Sequence, residues 1–341
     1  MRLSRSEIKR NALLERRAAL ERRYAAANAQ LAATLNRADH DPLRKQLELI
    51  EADLAEVDCE LGSLDGETPP SRGAADDASE TPPKLFGTGH RWAVLVGVDQ
   101  YDDRNLGALK HAVSDVTAIR DRLTQCGYDE KKVQLLTDRT KTKPTRNQIL
   151  AALQAAANAT EEDDLLLFYY AGHGLAAAGE SYLVGRDGFE IAVADTAVRL
   201  SRVEEIMREA KARAKVIILD ACHSGANLGA RGPRKMSEEF IRNVFEQAEG
   251  MAVLSSCKQG ELSYEDYDRA GGIFTHFLLE ALGGWADLDG KGFVTVHDAN
   301  RHVVDGVRTW AFGEKVSQTP TLKSAVAGDI ILADHRQRAS R

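Results

Sequence analysis

The sequence predicts an α/β sandwich, a mostly parallel sheet with helices on both faces, preceded by an N-terminal helical hairpin. Three observations carry that prediction. From Arg91 onward, short apolar runs alternate with helical stretches, the pattern of βαβ crossovers. The runs are apolar at successive positions, as in strands buried on both faces. The first 62 residues, by contrast, hold one proline and one glycine and are dominated by Ala, Leu, Arg and Glu.

The hairpin comes first, over residues 1–62. Leu43, Leu47, Ile50, Leu54, Val57 and Leu61 repeat with the 4-3 spacing of a coiled-coil seam. Leu20, Tyr24, Ala27, Leu31 and Leu35 form a second, Ala-rich stripe. Between them, Asp41 suits a helix cap and Pro42 the first helical position. Residues 1–38 carry a net charge of +6 and residues 39–62 one of −6, so the two helices attract when folded back antiparallel. A two-helix unit buries little by itself, so this segment is expected to dock on a partner, either an upstream activator or a homotypic copy. Residues 63–89, rich in Pro, Gly, Ser, Asp and Glu, read as a flexible linker.

The third unit spans residues 90–335. Trp92–Val98, Val133–Leu136, Leu165–Tyr170, Val216–Leu219 and Met251–Leu254 are the expected strands. Ala108–Thr124, Arg146–Ala157, Ser201–Ala212, Ile273–Leu282 and Thr295–Trp310 are the expected helices.

Composition narrows the function. The formal charge of −7 argues against a protein that tracks nucleic acid by its overall field. No stretch approaches the ~18 apolar residues of a membrane span, and the N-terminus begins in charged helix without the apolar run of a secretory signal. Four scattered cysteines, Cys59, Cys126, Cys222 and Cys257, form neither a disulfide framework nor a CxxC metal site. The expectation is a cytoplasmic protein whose cysteines act, if at all, as thiols.

In an open parallel sheet, ligands bind beyond the carboxyl ends of the strands. Two apolar strands run there into reactive residues: Tyr170-Ala171-Gly172-His173-Gly174 and Asp220-Ala221-Cys222-His223-Ser224-Gly225. If those strands are adjacent and parallel, His173 and Cys222 share a crevice. A cysteine attacks as thiolate, and a nearby imidazole removes its proton and later protonates the leaving amine. Gly172, Gly174 and Gly225 are expected to permit tight turns around them. His223 has no third ligand at a metal-binding spacing and reads as structural.

WAVLVGVDQY (92–101), LLLFYYAGHG (165–174), VIILDACHSG (216–225), VLSSCKQGELSYE (253–265) and GGIFTHFLLEAL (271–282) together resemble the caspase-like peptidases, in their metacaspase and bacterial caspase-homologue branch. The resemblance implies a caspase-like α/β/α sandwich and a cysteine endopeptidase cutting protein substrates. Cys222 would be the nucleophile and His173 the general acid/base. The backbone N–H groups of Gly174 and Cys222 would form the oxyanion hole. Asp115 and Asp220 would line a first specificity pocket selecting Arg over Lys. The animal-caspase Gln-Ala-Cys-x-Gly signature is absent, Asp220 standing in place of the Gln, which argues against cleavage after Asp. Ser255 and Ser256 would border the substrate groove and pair with an extended peptide.

Regulation follows from the same resemblance. The basic loop after the nucleophile carries Arg231, Arg234 and Lys235 and is expected to be a self-cleavage site of a zymogen. No cofactor is required; calcium activation is the one addition the branch suggests, and the Asp287–Gly292 stretch lacks the later ligand positions of a calcium loop. The expected role is a regulated protease in signalling, cell death or defence. A catalytically silent adaptor assembling partners through the hairpin is the alternative, and transfer to an amine instead of water is open at the same dyad.

Overall fold

In the computed structural model, the structure describes residues 85–222, 251–257, 261, 263–266, 271–326 and 328–336; the side chains of Cys222, Glu265 and Asp266 lie outside the description. The expected hairpin (1–62), most of the linker, Gly225 and the basic loop with Arg231, Arg234 and Lys235 lie outside the described residues.

The central sheet runs in the order β12 (Thr321–Ser324), β8 (Ala252–Ser255), β7 (Ala214–Cys222), β4 (Leu165–Ala177), β2 (Arg91–Gly97) and β3 (Val133–Thr137). All neighbours are parallel except β12, which runs antiparallel to β8 at the edge. Side chains along each strand alternate between two cores. Leu95, Leu167, Tyr169, Val216 and Ile218 enter the core covered by α1 (Ala112–Gln125), α4 (Ile273–Glu280) and α5 (Val296–Gly313). Val94, Val96, Phe168, Tyr170, Ile217 and Leu219 enter the opposite core, under α2 (Arg146–Ala159) and α3 (Leu200–Glu209). The predicted sandwich is therefore observed, and its strands are apolar at successive positions because both faces are buried.

The differences from expectation are local. β4 does not stop at Tyr170 but continues to Ala177 and turns back into β5 (Glu180–Leu183). Ala178 and Gly179 both have positive φ, as a two-residue hairpin of this twist demands. Gly172 and Gly174 thus lie within a strand and not in turns. α1 begins at Ala112 and not Ala108, because the Leu109 N–H is held by the Asp99 carbonyl and the Asp99 carboxylate meets the Val113 N–H. The ordered domain also begins before residue 90: β1 (Leu85–Phe86) pairs in parallel with β13 (Asp329–Asp334), which in turn pairs antiparallel with β11 (Phe293–Thr295). A short ribbon of β9 (Glu265–Asp266) and β10 (Gly271–Gly272) leads into α4.

Candidate active site

β4 and β7 are neighbours, parallel, and in direct register at their carboxyl ends, where His173 is the Cα partner of Cys222. The adjacency that the sequence left conditional is thus observed in the backbone. Gly174, the next residue of β4, is opposite Leu183 of β5.

His173 is held from several sides. Its backbone N–H donates to the Tyr101 hydroxyl at 2.8 Å, and its carbonyl accepts from the Val184 N–H at 3.0 Å and the Tyr170 hydroxyl at 2.8 Å. The imidazole stacks on the Tyr101 ring, centroids 4.6 Å apart and planes 25° apart. Its Nε2 lies 2.7 Å from the Gly107 carbonyl. A carbonyl can only accept, so Nε2 carries a proton. Gly172 leaves room for this arrangement: a Cβ there would sit 2.5 Å from the Tyr170 hydroxyl and 3.0 Å from that of Tyr101.

Beside this pair of strands lies a small pocket, and both Asp115 and Asp220 line it, with Leu109, Ala171, Ser263, Tyr264 and Gly272 among its other walls. α1 supplies Asp115 and β7 supplies Asp220, two residues before Cys222. Asp115 accepts the Gly272 N–H at 3.0 Å. Asp220 accepts from the Ser263 hydroxyl on Oδ1 and the Thr275 hydroxyl on Oδ2, both at 3.0 Å. Because the Thr275 proton is committed to Asp220, the Tyr169 hydroxyl, 2.9 Å from Thr275 Oγ1, donates into the same chain. Burial pushes the Asp220 carboxyl above its ordinary range, and the Ser263 and Thr275 hydroxyls oppose that shift. A Cβ on Gly272 would meet Asp115 Oδ2 at 3.0 Å and Asp220 Oδ2 at 3.4 Å, so glycine keeps both carboxylates on one wall.

Ser255 and Ser256 stand differently from expectation. Both are fully buried. Ser255 is opposite Leu219 on one side and Thr321 on the other, and the Ser256 N–H already donates to the Leu219 carbonyl. Among the described residues, both edges of β8 at Ser255 are paired. Ser263, six residues beyond the buried Cys257, is the serine of this segment that lines the pocket. Gln318, almost fully buried, braces it: Nε2 donates to the Ser256 carbonyl at 3.0 Å, and Oε1 accepts the Tyr264 N–H at 3.0 Å.

The acidic stretch Asp287–Gly292 is a closed turn. Asp287 accepts the N–H groups of Lys291 and Gly292, and the Lys291 ammonium lies 2.7 Å from Asp298. Among the described residues no group of three or more His, Cys, Asp or Glu side chains could hold a metal ion, and no helix is long and apolar enough to cross a membrane.

Comparison with known proteins identifies the class. The caspase domain, Peptidase_C14, matches residues 90–330, and the chain belongs to this family of cysteine peptidases. Effector-associated domain 9 matches residues 4–64. Among individual proteins, the chain is similar to the paracaspase of Dictyostelium discoideum, 24% identical over 195 residues that cover 56% of this chain and 44% of that protein. It is also similar to metacaspase-1 of Botryotinia fuckeliana, 29% identical over 198 residues, 52% of this chain and 45% of the other. The chain thus matches less than half the length of these curated relatives. The crystal structure of caspase-1 from Spodoptera frugiperda shares the fold, with a TM-score of 0.52 at 16% identity, over 77% of this chain and 99% of that one.

Proposed function

We propose that the protein is a cysteine endopeptidase that cleaves protein substrates after Arg, and less well after Lys, using Cys222 as nucleophile and His173 as general acid/base. The observation that carries this reading is the direct register of His173 with Cys222, beside a pocket walled by two carboxylates. With the Nε2 proton on the Gly107 carbonyl, Nδ1 takes the thiol proton, and the thiolate attacks the scissile carbonyl. The backbone N–H groups of Cys222 and Gly174 hold the oxyanion that develops. The imidazolium then protonates the leaving amine, and water releases the acyl group with His173 as base.

Specificity follows from the pocket. A guanidinium spreads five donors over two carboxylates, where an ammonium is a point charge, so Arg is preferred to Lys. An acidic side chain would meet two like charges and is rejected. The protease works on a few protein targets in a signalling, cell-death or defence setting. Residues 1–62, most of which fall in the match to the effector-associated domain over residues 4–64, dock an upstream activator or a homotypic partner. Cleavage at Arg231, Arg234 or Lys235 converts a zymogen to the active form, and calcium is its candidate activator.

Fluorogenic peptides with Arg, Lys, Asp or Asn before the reporter, with and without calcium, test the reading. Cleavage after Arg that falls by about 10³-fold or more in Cys222→Ala is the expected result. Cleavage after Asp would overturn the pocket assignment. Full activity in Cys222→Ala would overturn the dyad.

A further inference from the structure

Tyr101 is the residue of the site whose placement the dyad alone does not require. It follows β2 in the loop that Val98 ties to β4 through its N–H to the Ala171 carbonyl, 3.0 Å. Its hydroxyl is a junction, donating to the Val98 carbonyl at 3.1 Å and accepting the His173 N–H at 2.8 Å. Its ring lies flat on the His173 imidazole. One side chain therefore fixes both the backbone position and the ring plane of the histidine.

From this geometry we infer that Tyr101 is a positioning residue for His173, holding the imidazole in its working plane and stabilising its protonated form through the aromatic face. The inference rests on the dyad reading above. The tyrosine ring presents a negative face, which attracts an imidazolium more than a neutral imidazole. The imidazolium holds the proton taken from the thiol, so the stack favours the charge-separated thiolate–imidazolium pair and the protonated acid that releases the leaving amine. Among the described residues, other groups are placed near the pair. Tyr170 approaches from β4, and Cys222 is the register partner on β7. Asp138, beyond β3, accepts the N–H groups of Asp99 and Gln100 and is met by Arg186 at 3.5 Å.

Tyr101 does not line the pocket of Asp115 and Asp220, so the two roles separate kinetically. Three variants of the full chain are compared on the Arg peptide across pH: Tyr101→Phe, Tyr101→Leu, and pentafluorophenylalanine at position 101. Tyr101→Phe keeps the ring and is expected to retain at least about a fifth of kcat, with its pH profile unmoved. Tyr101→Leu is expected to lose kcat by about 10- to 100-fold with KM changed less than about twofold. Its alkaline limb, set by loss of the imidazolium proton, should move to lower pH by about half to one unit.

The fluorinated ring keeps shape but reverses the charge of the face. It should shift the alkaline limb as Tyr101→Leu does, and it supplies the test if Tyr101→Leu fails to fold. An alkaline limb that stays in place in the fluorinated variant, or a loss carried by KM, overturns the inference. Activity persisting in Cys222→Ala would instead overturn the dyad, so the two failures are distinguishable.

Discussion

Asp220 shows how much of the site hangs on single hydroxyl groups. Both of its oxygens are engaged, by Ser263 and by Thr275, and the latter is itself supported from Tyr169. Thr275→Val is nearly isosteric but leaves Oδ2 without its donor. It is expected to raise KM for an Arg peptide several-fold with little change in kcat, as steady-state kinetics would read. Asp220→Asn removes the charge and should lower kcat/KM for Arg on the order of 100-fold. The pH sign follows from burial. Because the carboxyl is pushed up, it takes up a proton at a higher pH than an ordinary aspartate and stops attracting a cation there. KM for Arg should therefore climb on acidification, starting above the usual carboxylate range, and Asp220→Asn should flatten that climb. At this scale His173, Cys222 and Asp220 were legible because each stands in a contiguous motif at a strand end. Ser263, Thr275, Tyr101 and the Gly107 carbonyl were not, because their parts depend on contacts across tens to more than a hundred residues. Ser255 and Ser256 were misplaced because sequence does not reveal that β12 closes the outer edge of β8.

At the scale of elements, the strands and helices were readable from period and polarity, whereas their ends were set by tertiary partners. β4 is the clearest case: nothing in Ala171–Ala177 is apolar enough to announce a strand, yet β5 supplies the pairing that extends it. Helix α3 carries a cost that the sequence did not advertise. Glu204 is almost fully buried, and neither carboxylate oxygen has a hydrogen-bond partner. Burial pushes its carboxyl up to about 7, aided by Glu180 and opposed by Arg208. The folded state thus favours the protonated acid, so stability is highest where Glu204 stays protonated and falls as pH rises from about 4.5 through about 7. Glu204→Gln removes that dependence. It should be more stable than the natural chain at pH 8 by on the order of 2–3 kcal/mol, a rise of several degrees in Tm, and nearly equal to it at pH 5. Thermal melts at the two pH values check this.

For the whole molecule, the caspase-type domain was visible as a change in composition and apolar patterning near Arg91. The start of the domain was not, since Leu85 and Phe86 look like linker residues until β13 is there to pair with them. A chain beginning at Thr81 should therefore melt several degrees above one beginning at His90, which lacks β1, as differential scanning calorimetry would show. The acidic wall of the pocket has a further consequence, this time for how the protein is made. Gly272, which donates to Asp115, lies 157 residues after it in the chain, and Thr275 follows Asp220 by 55. Synthesis runs from the N-terminus, so a ribosome will have released β4 and β7 before α4 emerges to complete the acidic wall. On the proposed reading, a half-made chain holds its nucleophile without a finished means of choosing where to cut. On that reading, the order of the elements along the chain makes selectivity a later product of synthesis than the residues that cut.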